Sequence, residues 1–182
     1  MDRQLDQFLQ RHPRLKWLLA IVLVGIVIAF GRPQDAGRNE PLDPGDSREI
    51  SGFARVVDGD SLFVGGNEVR LVGIDAPEGP QTCERAGKAW NCGEAARGEL
   101  ERLIGRQKVN CSSVERDKHG RYLGTCQAGG RTLNAAMVES GLAVSYGGYR
   151  DEERTAKVAK RGLWSGTFQM PREWRRERGI GG

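Results

Sequence analysis

Apolar positions follow two different regimes along this chain. From Trp17 to Phe30 they run unbroken, directly after a stretch holding Arg3, Arg11, Arg14 and Lys16. From Ile50 onward they come in short runs separated by glycines and charged residues, the pattern of strands and turns. Between the two, residues 32–49 are rich in Pro, Gly, Asp and Arg and carry no apolar period. That composition predicts a flexible linker.

Within the second regime, Ile50–Val57, Ser61–Val64 and Glu68–Ile74 are the first three expected strands. Gly65-Gly66-Asn67 supplies the hairpin turn between the second and third, and Pro77 helps to stop the third. Glu78 to Trp90 holds Cys83, Gly, Pro and Gln and is expected to be a loop. Asn91 with Glu94 three residues on forms a capping-box pattern. Ala96, Leu100, Leu103 and Ile104 then make one apolar stripe on a helix that Gly105 ends. Gln107–Val114 and Tyr122–Ala128 are two further strands. Leu133–Ser140 and Asp151–Arg161 are short helices, each followed by Gly, and Leu163 and Trp164 are expected to dock on the core. The tail from Pro171, with Arg172, Arg175, Arg176 and Arg178 against Glu173 and Glu177, is expected to be a solvated extension. The predicted fold is therefore α+β. It is a five-stranded OB-fold β-barrel with about three α-helices and an N-terminal hydrophobic helix ahead of it. The expected organisation is an N-terminal and membrane segment over 1–31, linker over 32–49, globular domain over 50–168 and basic tail over 169–182. Barrels of this type commonly bind oligonucleotides.

The fourteen apolar residues fall short of the about 20 that span a bilayer, which suits the core of a signal peptide. The long basic region ahead of them and a snorkelling Lys16 favour a retained anchor, while Ala29 and Gly31 offer a small-x-small cleavage site. Either way the basic cluster keeps the N-terminus inside and sends the remainder out. The four cysteines are even in number and contain no C-x-x-C pair, which favours disulfides over zinc and an oxidising compartment. Cys111 and Cys126 are centred on position 118.5, inside the turn between the last two strands. Residues equidistant from a hairpin turn face each other, so Cys111–Cys126 is predicted, and Cys83–Cys92 follows by elimination. The net charge of +4, from 28 basic and 24 acidic residues, is weak. Any nucleic-acid binding must come from local arrangement rather than a global field.

The chemistry concentrates between Val56 and Glu78. Asp58 and Asp60 close one apolar run, Arg70 sits inside a second, and Asp75 and Glu78 close that one. Asp60 and Asp75 are placed to give oxygens to a hard cation such as calcium, leaving positions for substrate and water. Glu78, just past Pro77, is placed to act as a general base on water. Arg70 presents a planar fork suited to phosphate, and Arg121 is the candidate second arginine. Taken singly, each has an ordinary explanation. Asp-Gly-Asp is a common turn, and a strand arginine often pairs with a neighbouring carboxylate. Asp58 itself reads as structural.

The ordered set V-x-D-G-D-S (Val56–Ser61), V-R-L-V-G-I-D-A-P-E (Val69–Glu78), D-K-H-G-R-Y-L (Asp117–Leu123), L-N-x-x-M-V-x-x-G-L-A (Leu133–Ala143) and R-G-L-W (Arg161–Trp164) resembles the thermonuclease, or staphylococcal nuclease-like, family. The resemblance implies calcium-dependent hydrolysis of phosphodiester bonds in DNA and RNA. It implies Asp60, Asp75 and the backbone carbonyl of Ala76 as metal ligands, Glu78 as base, and Arg70 and Arg121 on the phosphate. Lys118, His119 and Tyr146 become candidate substrate contacts. The chain departs from the family at Ala76 and Ser61, where threonines are familiar, at His119, where tyrosine is common, and in its shorter Gly65–Asn67 hairpin. The segment holding Cys83 and Cys92 also differs. The expectation is an exported nuclease tethered to the membrane through residues 17–30, its domain on the periplasmic or extracellular side, and no segment points to a protein partner. The competing expectation is a non-catalytic OB-fold module that binds single strands or an envelope partner. The retained set Asp60, Arg70, Asp75, Glu78 and Arg121 favours the enzyme.

Overall fold

Glycine-punctuated short runs fold into short strands, and helices fill the space between them. The computed structural model describes residues 48–180, all within one compact unit. Expectations for the hydrophobic segment, and for the linker up to Ser47, lie outside the described residues. Among those described, no helix is long and apolar enough to cross a membrane.

The strands are β1 (Arg48–Gly52), β2 (Ala54–Val56), β3 (Ser61–Val64), β4 (Asn67–Leu71), β5 (Ile74–Asp75), β6 (Cys83–Arg85), β7 (Lys88–Trp90), β8 (Val109–Arg116), β9 (Tyr122–Ala128), β10 (Arg131–Thr132) and β11 (Val144–Ser145). The helices are α1 (Cys92–Ile104), α2 (Leu133–Glu139), α3 (Arg150–Val158) and α4 (Pro171–Glu177), with a 3₁₀ turn at Gly162–Ser165. The main sheet runs β1-β8-β9-β4-β3-β2, with β10 added to β9. Among the described residues only β4 and β9 pair in parallel; the other ladders of this sheet are antiparallel. The fold is thus α+β with a mixed sheet, consistent with the expected OB type. No ladder joins the end strands β1 and β2 among the described residues, so the closed barrel is not seen as such. Phe53 alone separates these two in sequence, and the single first strand expected over Ile50–Val57 is broken there.

Local chemistry explains the tight connections. Gly65 and Gly66 have φ of 55° and 85°, so the β3–β4 hairpin takes a turn that a side chain at either position would strain. Asn67 already belongs to β4. Cys111 lies opposite Cys126 in the β8–β9 register, and the two form a disulfide, as the hairpin symmetry predicts. Cys83 and Cys92 form the second. It joins the β6–β7 hairpin, within the segment expected to be a loop, to the first residue of α1. Asn91 precedes this helix but makes no side-chain capping bond, so the capping box is not formed.

The core lies between the sheet and α1 and α2. Leu62, Val64, Val69, Leu71, Val109 and Tyr122 meet Leu100 and Ile104 of α1 and Leu133, Met137 and Val138 of α2. Asn134 is fully buried, and its amide satisfies three backbone groups. It accepts from Cys126 N at 3.0 Å and donates to Val72 O at 2.9 Å and Gly124 O at 3.1 Å. Those bonds fix α2 against the end of β4, next to the Asp75 strand. Leu163 is buried in a second cluster with Cys83, Cys92 and Val144, and Trp164 packs at its edge, so the expected docking occurs.

The largest correction concerns the C-terminus. The stretch expected to be a solvated extension contains a fourth helix, α4, and its Trp174 is 7% exposed. One aromatic residue among four arginines is enough to dock a short helix when a pocket awaits it.

The Cys111–Cys126 bridge closes a loop with a sequence separation of 15. Replacing both cysteines by alanine should lower unfolding free energy by about 3 kcal/mol, the loop-entropy value for that length, with urea denaturation as the measurement.

Candidate functional site

Two neighbouring strand ends bring the carboxylates together. The backbone of Asp60 is tied to β4 by the bond from Leu71 N to Asp60 O, 2.8 Å. Asp58 accepts from Asp60 N at 3.0 Å, which is the turn-holding role expected of it. Ser61 stands opposite Arg70 in the β3–β4 register, so the guanidinium lies beside Asp60. Asp75 reaches the same place from β5, which pairs with β11.

The resulting network is dense and nearly dry. Asp60 and Asp75 are 4% and 3% exposed. Arg70 Nη2 donates to Asp60 Oδ2 at 3.1 Å and to Asp75 Oδ1 at 3.3 Å. Ser61 Oγ donates to Asp60 Oδ1 at 2.9 Å, and Ala76 N donates to Asp60 Oδ2 at 3.2 Å. Ala76 therefore enters the network through its N–H. Glu78 follows Pro77, and its side chain is 25% exposed. Its backbone is held from two sides. Glu78 N donates to Gln81 Oε1 at 3.3 Å, and Gly93 packs so closely that a Cβ there would lie 1.8 Å from Glu78 O. Gly59 makes a similar approach, where a Cβ would lie 2.7 Å from the methyls of both Ala76 and Ala96. The aspartate turn is pressed between the β5 end and helix α1.

Arg175, expected only in a solvated tail, is a further member of the site. This residue of α4 donates through Nη1 to Asp75 Oδ1 at 2.8 Å and to Glu78 Oε1 at 2.9 Å. No periodicity or spacing signals such a contact, because 97 residues separate Arg175 from Glu78. Burial works against the charge of Arg175, but its hydrogen bonds to Asp75 and Glu78 prevail and raise its pKa. Burial pushes the Asp75 carboxyl up, and Arg175 and Arg70 pull against that shift. Burial first, and the Asp60 carboxylate second, push Asp58 up to about 7.

An open cleft of about 940 Å³ is lined by Arg70, Asp75 and Glu78 on one side and by Asp117, Arg121 and His119 on another. Lys118, Tyr146, Arg172 and Arg176 also line it, so the candidate substrate contacts share one cavity with the carboxylates. Arg121 is clamped by its own turn: Nε lies 2.8 Å and Nη2 2.7 Å from Asp117 Oδ2. The other oxygen of Asp117 accepts the backbone N–H groups of His119 and Arg121 at 2.9 and 3.0 Å. Burial raises the Asp117 carboxyl, but these bonds outweigh it and hold its pKa below the ordinary value. Tyr146 is 56% exposed, and Arg172 lies over its ring at 5.9 Å.

The donor set has the chemistry of a hard-cation site. It is built of carboxylate oxygens, without thiolate or imidazole. Asp58, Asp60, Asp75 and Glu78 outnumber the guanidinium groups of Arg70 and Arg175, and the upward shift of Asp58 comes from burial first and from the neighbouring Asp60 carboxylate second. A divalent cation would relieve that excess. Among the described residues no cluster of three or more His, Cys, Asp or Glu side chains forms a metal cage. Two aspartates alone would leave most coordination positions to water and substrate oxygens.

Residues 68–166 match the staphylococcal nuclease homologue family. The match covers more than half of the chain, and the protein belongs to that family. The chain is 37% identical over 144 residues to micrococcal nuclease of Shigella flexneri, covering 67% of this chain and 78% of the relative. It is 35% identical over 147 residues to succinoglycan biosynthesis protein ExoI of Rhizobium meliloti, covering 76% of this chain and 73% of the relative. An uncharacterized endonuclease of Escherichia coli O157:H7 is 32% identical over 128 residues, covering 64% and 78%. Proteins of this family include nucleases, which hydrolyse phosphodiester bonds. Arg175 lies beyond the matched segment.

Replacing Gly93 by alanine should force the Glu78–Gly79 backbone to move and lower stability by about 1–3 kcal/mol, the usual cost of overpacking. Thermal unfolding of the variant against the wild type measures it.

Proposed function

We propose that this protein is a calcium-dependent nuclease that hydrolyses phosphodiester bonds of DNA or RNA outside the cytoplasm. The observation that carries the reading is the buried Asp60–Arg70–Asp75 network with Glu78 at its edge, opening on a cleft that Arg121 also lines. The two disulfides point to an extracytoplasmic compartment. The hydrophobic segment 17–30 would tether the domain there. We read the mixed sheet as an OB-type barrel in which the chain turns at Phe53 from one end of the ladder to the other.

Asp60 and Asp75 would hold the calcium ion together with the Ala76 carbonyl, and the ion would supply charge stabilisation to the phosphate oxygens. Arg70 and Arg121 would donate to the phosphate oxygens as negative charge grows on them. Two arginines entering from separate strands confine a phosphate between them and orient it for in-line attack. Glu78 would take the proton as water oxygen bonds to phosphorus and the ester P–O bond breaks, and the leaving oxygen is then protonated. Lys118, His119 and Tyr146, on the cleft wall, would contact the sugar, base or phosphate beyond the scissile bond. Both arginines are already paired with carboxylates, so phosphate binding exchanges one anionic partner for another rather than ordering a free side chain. The non-catalytic OB-fold reading leaves the excess of buried carboxylates without a use.

The test is cleavage of a single-stranded oligonucleotide by the full chain, with calcium or with chelator. Calcium-dependent cleavage is expected, and Glu78→Gln should lower kcat by about 100-fold or more, in the range of general acid–base catalysis. No difference between wild type and Glu78→Gln would remove the nuclease reading. Arg121→Ala should lower kcat by about 100–1,000-fold, the cost of one lost charge-stabilising donor. An unchanged rate would leave Arg70 as the sole phosphate-binding arginine.

A further inference from the structure

The C-terminal helix α4 is held at the site by contacts that have nothing to do with its charge. Pro171 opens it, at the position where a missing N–H costs nothing. Trp174 is buried. Gln81, fully buried, donates Nε2 to Gln169 O at 2.8 Å and accepts from Glu78 N through Oε1 at 3.3 Å. One buried amide thus ties the backbone entering α4 to the backbone of Glu78. A helix docked this way delivers Arg175 to a set place, and its side chain is only 17% exposed.

At that place one nitrogen, Nη1, bridges Asp75 Oδ1 and Glu78 Oε1 at 2.8 and 2.9 Å. These two carboxylates flank Pro77 and carry like charge. Without a cation between them they would repel, and the glutamate, with its several rotatable bonds, would turn toward solvent. A guanidinium anchored at its far end by a packed helix sets both the separation of the pair and the rotamer of Glu78.

We propose that Arg175 is a positioning residue of the hydrolytic site, holding the Glu78 carboxylate beside Asp75 so that the base faces the cleft at a set distance from the cation-binding pair. The inference rests on the nuclease reading above. It makes α4, outside the family-matched segment 68–166, a working part of the site rather than a trailing extension. Arg175 acts through Glu78, so its removal is expected to slow the chemical step and leave oligonucleotide affinity in place. It also adds positive charge next to Asp75, so removing it should not weaken cation binding.

The experiment compares full-length wild type, Arg175→Gln and Arg175→Lys. Readouts are kcat and KM on a single-stranded oligonucleotide and binding of terbium ion, a luminescent calcium probe, without substrate. Arg175→Gln should lower kcat by about 10–100-fold, as expected for a misplaced catalytic group, with KM changed less than about threefold on the same ground. Terbium should bind Arg175→Gln as tightly as wild type or more tightly. Arg175→Lys should fall between wild type and Arg175→Gln in kcat, because an ammonium keeps the charge without the fork. Should Arg175→Gln fail to fold by near-ultraviolet circular dichroism, Arg175→Met, which keeps a long packing stem, carries the same expectations. An unchanged or higher kcat overturns the proposal and makes α4 a bystander or a competitor of the cation. A loss confined to KM overturns it in favour of substrate binding, and weakened terbium binding overturns it in favour of support to the metal ligands. Wild type that does not hydrolyse the oligonucleotide removes the nuclease reading itself, and the proposal with it. Hydrolysis by wild type at the rate of Arg175→Gln removes the proposal alone.

Discussion

The site depends on Arg70 bridging two carboxylates that are almost out of water. Asp60 lies just before β3 and Asp75 ends β5, and Arg70 Nη2 is within 3.3 Å of both. Burying two ionised carboxylates side by side is unfavourable unless charge and hydrogen bonds compensate. Here the compensation comes from Arg70, from the Ser61 hydroxyl, from Ala76 N–H and from Arg175. It is incomplete, as the upward shifts of Asp58 and Asp75 show. Residues that only held the sheet together would gain from replacement by apolar groups.

The scaffold makes this arrangement rigid by close approach rather than by size. The Asp58–Asp60 turn is pressed against Ala76 and Ala96 at Gly59, and the Glu78 carbonyl lies against Gly93. Ala96 and Gly93 belong to helix α1, whose first residue is bonded covalently to β6 through Cys83–Cys92. The other disulfide, across β8 and β9, braces the hairpin whose tip carries Asp117 and Arg121. Each half of the site is therefore fixed from behind by a covalent link, a usual device in small exported domains.

Much of this was legible in the residue pattern. Short apolar runs on either side of Gly65-Gly66-Asn67 located the β3–β4 hairpin, because glycine and asparagine tolerate the positive φ such a turn requires. The symmetry of Cys111 and Cys126 about a turn identified a cross-strand disulfide, because register in a hairpin is set by its turn. The pattern misled where the outcome hung on what a segment meets. The Cys83–Trp90 stretch forms a hairpin although its composition suits a loop, and the bridge from Cys83 to Cys92 closes over it. Asn91 has a capping partner in sequence but makes no side-chain capping bond. The break at Phe53 follows from pairing with two different partners, β8 on one side and β3 on the other.

The sequence by itself determined the chemical inventory: which residues can bind a hard cation, hold a phosphate or accept a proton, and in which strands they lie. These follow from side-chain type and from backbone periodicity, both local properties. Only the tertiary structure decided how charge is shared among them. Arg175 lies in a short charged segment with one tryptophan, and nothing nearby in the chain distinguishes it from Arg172, Arg176 or Arg178. Its pairing with Asp75 and Glu78 exists because Trp174 and Gln81 dock α4 at the edge of the cleft. An ion pair between residues almost one hundred positions apart is set by the packing of the elements that carry them, and that packing is a property of the whole fold.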